Sequence, residues 1–162
     1  MVFNVRSFGL VLALALATGA SAQQKIAFGD LNQDTSLPVQ VQADQLAVNN
    51  ADGSAVFSGN VVVTQGEMKL AAGEVKVSYG ADQKNIEELV ASGGVLVTNL
   101  GDAAEAQQAV YTIDSGVIVL SGDVLLTQGP SAMAGQKLTI NLKDGTGIME
   151  GRVTTTFVPG GN

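Results

Sequence analysis

The sequence predicts an all-β protein, a sandwich or stacked-repeat β-jelly roll made of two facing antiparallel sheets with open end strands. Three observations point there. First, the pattern Gly-x-Val-x-x-Thr occurs four times, at Gly59/Val61/Thr64, Gly93/Val95/Thr98, Gly122/Val124/Thr127 and Gly151/Val153/Thr156, with glycines 34, 29 and 29 residues apart. Second, a small-x-x-apolar-x-apolar pattern alternates with it (Ala43, Leu46, Val48; Ala72, Val75, Val77; Ala106, Ala109, Tyr111; Gly135, Leu138, Ile140), starting 13 residues after each of the first three glycines. Third, the apolar period within a unit is two, not 3.6. Phased self-similarity of this kind belongs to repeat folds, in which one unit cannot bury its apolar face alone.

The elements follow in order along the chain. Met1 to Ala22 reads as a secretory signal: Arg6 supplies the positive start, Phe8 to Ala17 is small and apolar, and Ala20-Ser21-Ala22 offers a cleavage site. Its apolar stretch is well short of the roughly 20 residues that span a bilayer, which favours a cleaved signal over a retained anchor. Residues 23–36 are polar and read as a flexible leader. From Leu37-Pro38 onward the chain alternates. Phe57, Gly59, Val61 and Val63 share a phase, and Leu120, Val124 and Leu126 repeat it two units later. Asn49-Asn50-Ala51-Asp52-Gly53, Asp114-Ser115-Gly116 and Lys143-Asp144-Gly145 carry turn chemistry. The second unit has five extra residues around Ala81 to Glu88, a lengthened hairpin turn, and Gln83 to Leu89 is too short for an independent helix.

Apolar parity slips by one between Ala43 and Leu46, Ala72 and Val75, and Gly135 and Leu138, because three residues along a flat strand cannot face one way. A bulge or bend is therefore expected there, with a second kink allowed at the strand glycines 59, 93, 122 and 151. Recurrent bends suit strands that leave one sheet and join a facing one. A β-helix with one coil per repeat has similar periodicity, but the mid-repeat hairpin turns favour the sandwich. Neither end looks like a polar capping repeat, so open edges, or a terminal segment folded over them, are both compatible with the sequence.

Composition removes most chemistry. The 162 residues contain no cysteine and no histidine, excluding disulfides, thiol nucleophiles, histidine proton shuttles and the usual Cys/His metal sites. Eight basic against fifteen acidic residues give a net charge of −7, unsuited to a nucleic-acid backbone. Asp44, Asp52, Asp82, Asp102, Asp114, Asp123 and Asp144 lie beside turns, but their spacing matches no calcium loop. Glu87 and Glu88 are adjacent and so point to opposite faces of a strand, unlike a catalytic carboxylate pair. Ser92-Gly93-Gly94 lacks the lysine and helix of a phosphate loop. No catalytic residue, metal site or cofactor is expected. The inward positions are mostly mid-sized aliphatics. Two sheets about 10 Å apart can close on them as a dry core, or splay into a slot wide enough for acyl chains. Periodicity does not choose between the two.

Pro38-Val39-Gln40-Val41-Gln42-Ala43-Asp44, then Gly53, Ala55, Phe57 and Ser58-Gly59-Asn60-Val61-Val62-Val63-Thr64-Gln65-Gly66, resemble the OstA-like family of periplasmic lipopolysaccharide transport proteins. The likeness continues through Leu70-Ala71-Ala72, Leu120-Ser121-Gly122-Asp123-Val124, Thr127-Gln128 and Gly151-Arg152-Val153-Thr154-Thr155, covering about 37–159, which is taken as the domain. One departure stands out: Ala72-Gly73 replaces the usual Ala-Asp pair. The resemblance implies a twisted β-jelly roll with a hydrophobic groove that holds the acyl chains of lipopolysaccharide. It also implies head-to-tail self-association, and contacts through related jelly-roll domains with an inner-membrane transport complex and an outer-membrane translocon. On that reading the lipid-binding residues are Val39, Val41, Val48, Phe57, Val77, Tyr111, Leu120 and Ile140, one apolar track along the inner faces. The location implied is the periplasm.

Overall fold

The computed structural model describes residues 25–27, 34–81 and 84–158. The expected signal segment, and Asp82 and Gln83 of the inserted turn, lie outside the described residues. Eleven strands are present among the described residues: β1 (Lys25–Ala27), β2 (Gln40–Gln42), β3 (Gln45–Asn49), β4 (Ser54–Gln65), β5 (Met68–Tyr79), β6 (Ile86–Asn99), β7 (Asp102–Thr112), β8 (Val117–Gln128), β9 (Ser131–Asn141), β10 (Thr146–Glu150) and β11 (Thr154–Thr156). Every pairing is antiparallel, and β4 to β10 are joined as consecutive hairpins. Within the expected leader, β1 pairs with β10, with Ile26 opposite Gly147, so part of that segment belongs to the sheet.

The two facing sheets are the two halves of one continuous ladder, ordered β1-β10-β9-β8-β7-β6-β5-β4-β2, with β3 also on β4 and β11 also on β9. Each long strand is bent near its middle. The register shifts between Ala71 and Glu74, at an expected parity slip, between Ser58 and Val61, Ser92 and Val95, and Ser121 and Val124, at the strand glycines, and also between Glu105 and Gln108. The bend is made by two successive left-handed residues: Gly59-Asn60 (φ 78°, 47°), Gly93-Gly94 (80°, 82°), Gly122-Asp123 (84°, 47°) and Gly151-Arg152 (83°, 49°). The first of each pair is the motif glycine, because that conformation is strained for any residue with a Cβ. The unit of the sequence repeat is therefore one bent hairpin.

Bending restores the apolar face on both sides of the corner. In β5, Met68, Leu70 and Ala72 are buried before the bend, and Val75 and Val77 after it. Both halves feed one cluster, and Leu120, Leu126, Ile118, Leu138 and Leu142 are fully buried within it. At the β2/β3 end the cluster runs out. Leu46 and Val48, read as inward from parity, are 56% and 63% exposed, and Tyr79 is exposed as well. Parity sets which side chains share a face, but a face is buried only where another strand lies over it, and β3 is an end strand. The extra residues of the second unit lengthen the β5–β6 turn, closed by the Gly80 N–H donating to Asn85 O at 3.0 Å.

Candidate functional site

The hairpin turns form two rims. Gly66-Glu67, Leu100-Gly101 and Gly129-Pro130 close one half of the folded sheet, whereas 50–53, 80–81 with 84–85, 113–116 and 142–145 lie at the other. Opposite the bent seam, these rims flank the mouth of the fold. The mouth leads to an apolar interior that is closed. Val77, Tyr111, Leu120 and Ile140 of the expected track are at most 1% exposed. Val39, Val41 and Phe57 are half-buried and packed against the cluster near the β2/β3 end. Val48 stands apart, on the exposed end strand. Seven of the eight residues are thus brought into or against one apolar body, as a packed core rather than an open slot. Where Val97, Ala104 and Leu126 of one half meet Ile140 of the other, a cavity of about 10 Å³ remains, at the threshold for one water.

One polar bridge crosses this interior. The Tyr111 hydroxyl, near the end of β7, donates to Gln65 Oε1, at the end of β4, over 2.7 Å. Gln65 Nε2 in turn donates to the backbone carbonyls of Thr35 (3.0 Å) and Leu37 (2.9 Å). Both side chains are 1% exposed. Burial pushes the Tyr111 phenol up from 10.0 to about 12, since the phenolate would lose its water. The anchored segment is a turn of its own: the Leu37 N–H donates to Asp34 O, and the N–H and hydroxyl of Ser36 donate to Asp34 Oδ1 at 2.9 and 2.5 Å. The side-chain bond from Ser36, reinforced by its backbone bond, holds the Asp34 carboxyl below the usual value of 3.8. Asp52 is lowered in the same way by Ser54.

Gln65 is quoted in the family motif but is not among the site residues expected from the sequence, although a signal for it exists. The position after the motif threonine carries an amide in three of the four copies, Gln65, Asn99 and Gln128. Gln65 and Asn99 are buried, and Gln128 Nε2 donates to Asp102 Oδ2 at 2.9 Å.

The outer side of the seam is also patterned. Asp44 lies over Gly59 and accepts from Asn60 Nδ2 at 2.8 Å, and Gln107 lies over Gly122 and donates to Asp123 Oδ2 at 3.0 Å. Gln136 lies over Gly151. In the second unit both covering groups are missing: Gly73 packs backbone to backbone on Gly93, and Gly94 has nothing within 4 Å of where its Cβ would stand. The result is an open depression of about 740 Å³ lined by Asn60, Val62, Gly73, Gly94, Leu96 and Glu105, among others.

Both ends of the stack expose apolar side chains. Leu37, Leu46 and Val48 do so at the β2/β3 end, and Val153, Phe157 (68% exposed) and Val158 at the β11 end. Exposed ion pairs, Lys76 with Asp52 at 3.9 Å and Lys137 with Glu150 at 3.0 Å, contribute little to stability.

Comparison with known proteins places this architecture. The fold is similar to the crystal structure of LptH, the LptA-homologous periplasmic component of the lipopolysaccharide transport device of Pseudomonas aeruginosa, with a TM-score of 0.71 at 22% identity over 78% of this chain and 99% of that one. In sequence the chain is 33% identical over 78 residues to the lipopolysaccharide export system protein LptA of Escherichia coli K12, covering 48% of this chain and 42% of that protein. It is 26% identical over 118 residues to an uncharacterized protein of Rhizobium meliloti, covering 68% of this chain and 61% of that one. The chain thus spans less than two thirds of the length of these curated relatives. The model of the LptA/(LptD N-terminal domain) LPS transport protein family matches residues 40–146, from β2 to the start of β10, and the chain belongs to that family.

Proposed function

We infer that this chain is a periplasmic carrier that holds lipopolysaccharide by its acyl chains between the two halves of the bent sheet. It would hand the lipid along a bridge of like folds running from an inner-membrane complex to an outer-membrane translocon. The observation that carries the reading is the apolar interior shared by both halves from β4 to β10, on a chain of the LPS transport family. The relatives named as lipopolysaccharide export proteins, and the LptH structure described as a periplasmic component of that device, support it. Physical chemistry supports it too. Each methylene buried in such an interior gains roughly 0.8 kcal/mol. A net charge of −7 leaves an anionic headgroup better placed in solvent than against the protein. No catalytic role is assigned. Exposed apolar side chains at both ends support head-to-tail association.

Photo-crosslinking tests it. A photoreactive side chain at Val41 or Phe57, half-buried against the interior, is expected to capture lipopolysaccharide, and capture should hardly change with salt because hydrocarbon burial is not screened. The same group at the exposed Lys69 should capture none. Equal capture at both, or none at the inner sites, would return the molecule to the rival reading, a self-assembling β-repeat scaffold without a lipid ligand.

A further inference from the structure

The closed interior poses a problem for a carrier. A lipid whose chains lie inside and whose headgroup lies in water can travel along the stack only if the mouth between the rims parts along its path. The headgroup cannot pass through the apolar core, and on the seam side the ladder is continuous. Whatever joins the two rims across the mouth therefore stands in the way.

The Gln65–Tyr111 pair is such a join. Gln65 ends β4 beside the Gly66-Glu67 turn of one rim, and Tyr111 lies one residue before the end of β7, beside the 113–116 turn of the other. Their 2.7 Å bond links the two halves directly. The Thr35–Leu37 segment links them a second time. Its carbonyls take both Gln65 N–H groups, while the Thr35 methyl lies on the opposite rim, 3.2 Å from where a Cβ on Gly116 would stand and next to the stem of Lys143. The segment lies across the mouth, and the pair beneath it is shielded from water.

We propose that the Gln65–Tyr111 hydrogen bond, together with the Thr35–Leu37 segment that Gln65 anchors, is a latch that must open before a hydrocarbon chain enters between the rims and that recloses behind it. The inference rests on the lipid-carrier reading above. The chemistry suits a reversible latch. Neutral side-chain hydrogen bonds are exchanged for bonds to water on opening, so their net hold is small, whereas a purely apolar contact at that point would resist wetting. Tyrosine has an apolar body that completes the core when shut and a polar tip that tolerates water when open.

The test uses the full chain in two arms. In the first, hydrogen exchange is followed without lipid in wild type and in Tyr111→Phe, which keeps the ring and removes the bond. Exchange at Thr35 to Leu37 and in the 113–116 turn should quicken at least fivefold, with the β8–β9 core unchanged. In the second, Gln65→Cys and Tyr111→Cys are joined by a reducible bis-thiosulfonate spacer, a clean reaction because the chain has no cysteine. Capture of lipopolysaccharide by a photoreactive group at Phe57 should fall at least tenfold in the bridged form and return on reduction. Equal exchange in both proteins, or equal capture by bridged and reduced forms, overturns the latch. If no form captures lipid, yet Tyr111→Phe quickens exchange at the mouth, the latch stands as an opening element and the lipid reading falls.

Discussion

Leu120 and Tyr111 show two ways in which one buried side chain matters here. Leu120 is fully buried in the centre of β8, opposite Leu138 and Ala109. Leu120→Ala should cost about 3 kcal/mol through lost contacts and a cavity. Leu120→Asp should cost about 3–5 kcal/mol, because a carboxylate without a partner is left inside. Urea unfolding of both variants checks the order. Tyr111 is buried and neutral. Its proton is held up to about 12 in the native state against 10.0 when exposed, so the native state keeps a proton that the unfolded chain loses between these values. Stability contributed by this group is complete below pH 10 and declines as pH rises from 10 to 12, by roughly 2–3 kcal/mol in all. Tyr111→Phe should flatten that part of the alkaline stability profile. For Asp34 the sign is reversed. Its lowered pKa means that what the Asp34 carboxylate contributes to the 34–37 turn is complete above pH 3.8 and is lost as pH falls through the native value, while the Gln65 bonds to Thr35 and Leu37 remain. The protection of the Ser36 amide, its exchange rate taken relative to that of an unstructured peptide at the same pH, should therefore fall in acid.

At the scale of the element, the bent hairpin explains why the repeat has the residues it has. Two left-handed positions make each corner, and the second tolerates a side chain, as Asn60, Asp123 and Arg152 show at φ 47° to 49°. Gly94→Asn should cost about 1 kcal/mol: nothing stands within 4 Å of its added Cβ, but its φ of 82° lies well beyond the 47° to 49° at which the other corners carry a side chain. Gly73→Asp restores the aspartate that the family resemblance leads one to expect there, yet should destabilise by about 1–3 kcal/mol. A Cβ there meets the Gly93 carbonyl oxygen at 3.1 Å, and that backbone is part of the ladder. Thermal unfolding of the two single variants separates corner conformation from corner packing. The missing aspartate at this position does not disturb the fold. Its loss is matched by glycine on the facing strand, and the two backbones close together.

On the scale of the whole molecule, the stack is closed along its length, and among the described residues no further strand lies beyond its end strands. The β10 edge is covered by β1, leaving β1 and β11 outermost at one end and β2 and β3 at the other. Short end strands with exposed Leu46, Val48, Phe157 and Val158 invite strand addition by a second copy or a related fold. Sedimentation velocity should show concentration-dependent association. Leu46→Glu should weaken it at least tenfold while leaving unfolding unchanged within about 0.5 kcal/mol, because a charge on an open edge opposes pairing without entering the core. A strict monomer at high concentration would remove the support for a bridge of like units.

The sequence alone determined what depends on neighbours along the chain. Period-two alternation gave the strands, turn residues gave the hairpins, and the parity slips at Ala72/Val75 and Gly135/Leu138 located the bends, because a strand's side-chain directions follow from its own residues. The family resemblance was legible for the same reason, in short motifs around Gly59 and Gly122. What the tertiary structure decided depends on partners distant in sequence. Whether the two halves splay or close, whether Val48 is covered, and whether β1 reaches β10 are set by which strand lies opposite, and alternation carries no information about that. Gln65 is the clearest case: forty-six residues from Tyr111, it acquires its role only when the sheet folds back and brings the ends of β4 and β7 within 2.7 Å across an interior that excludes water.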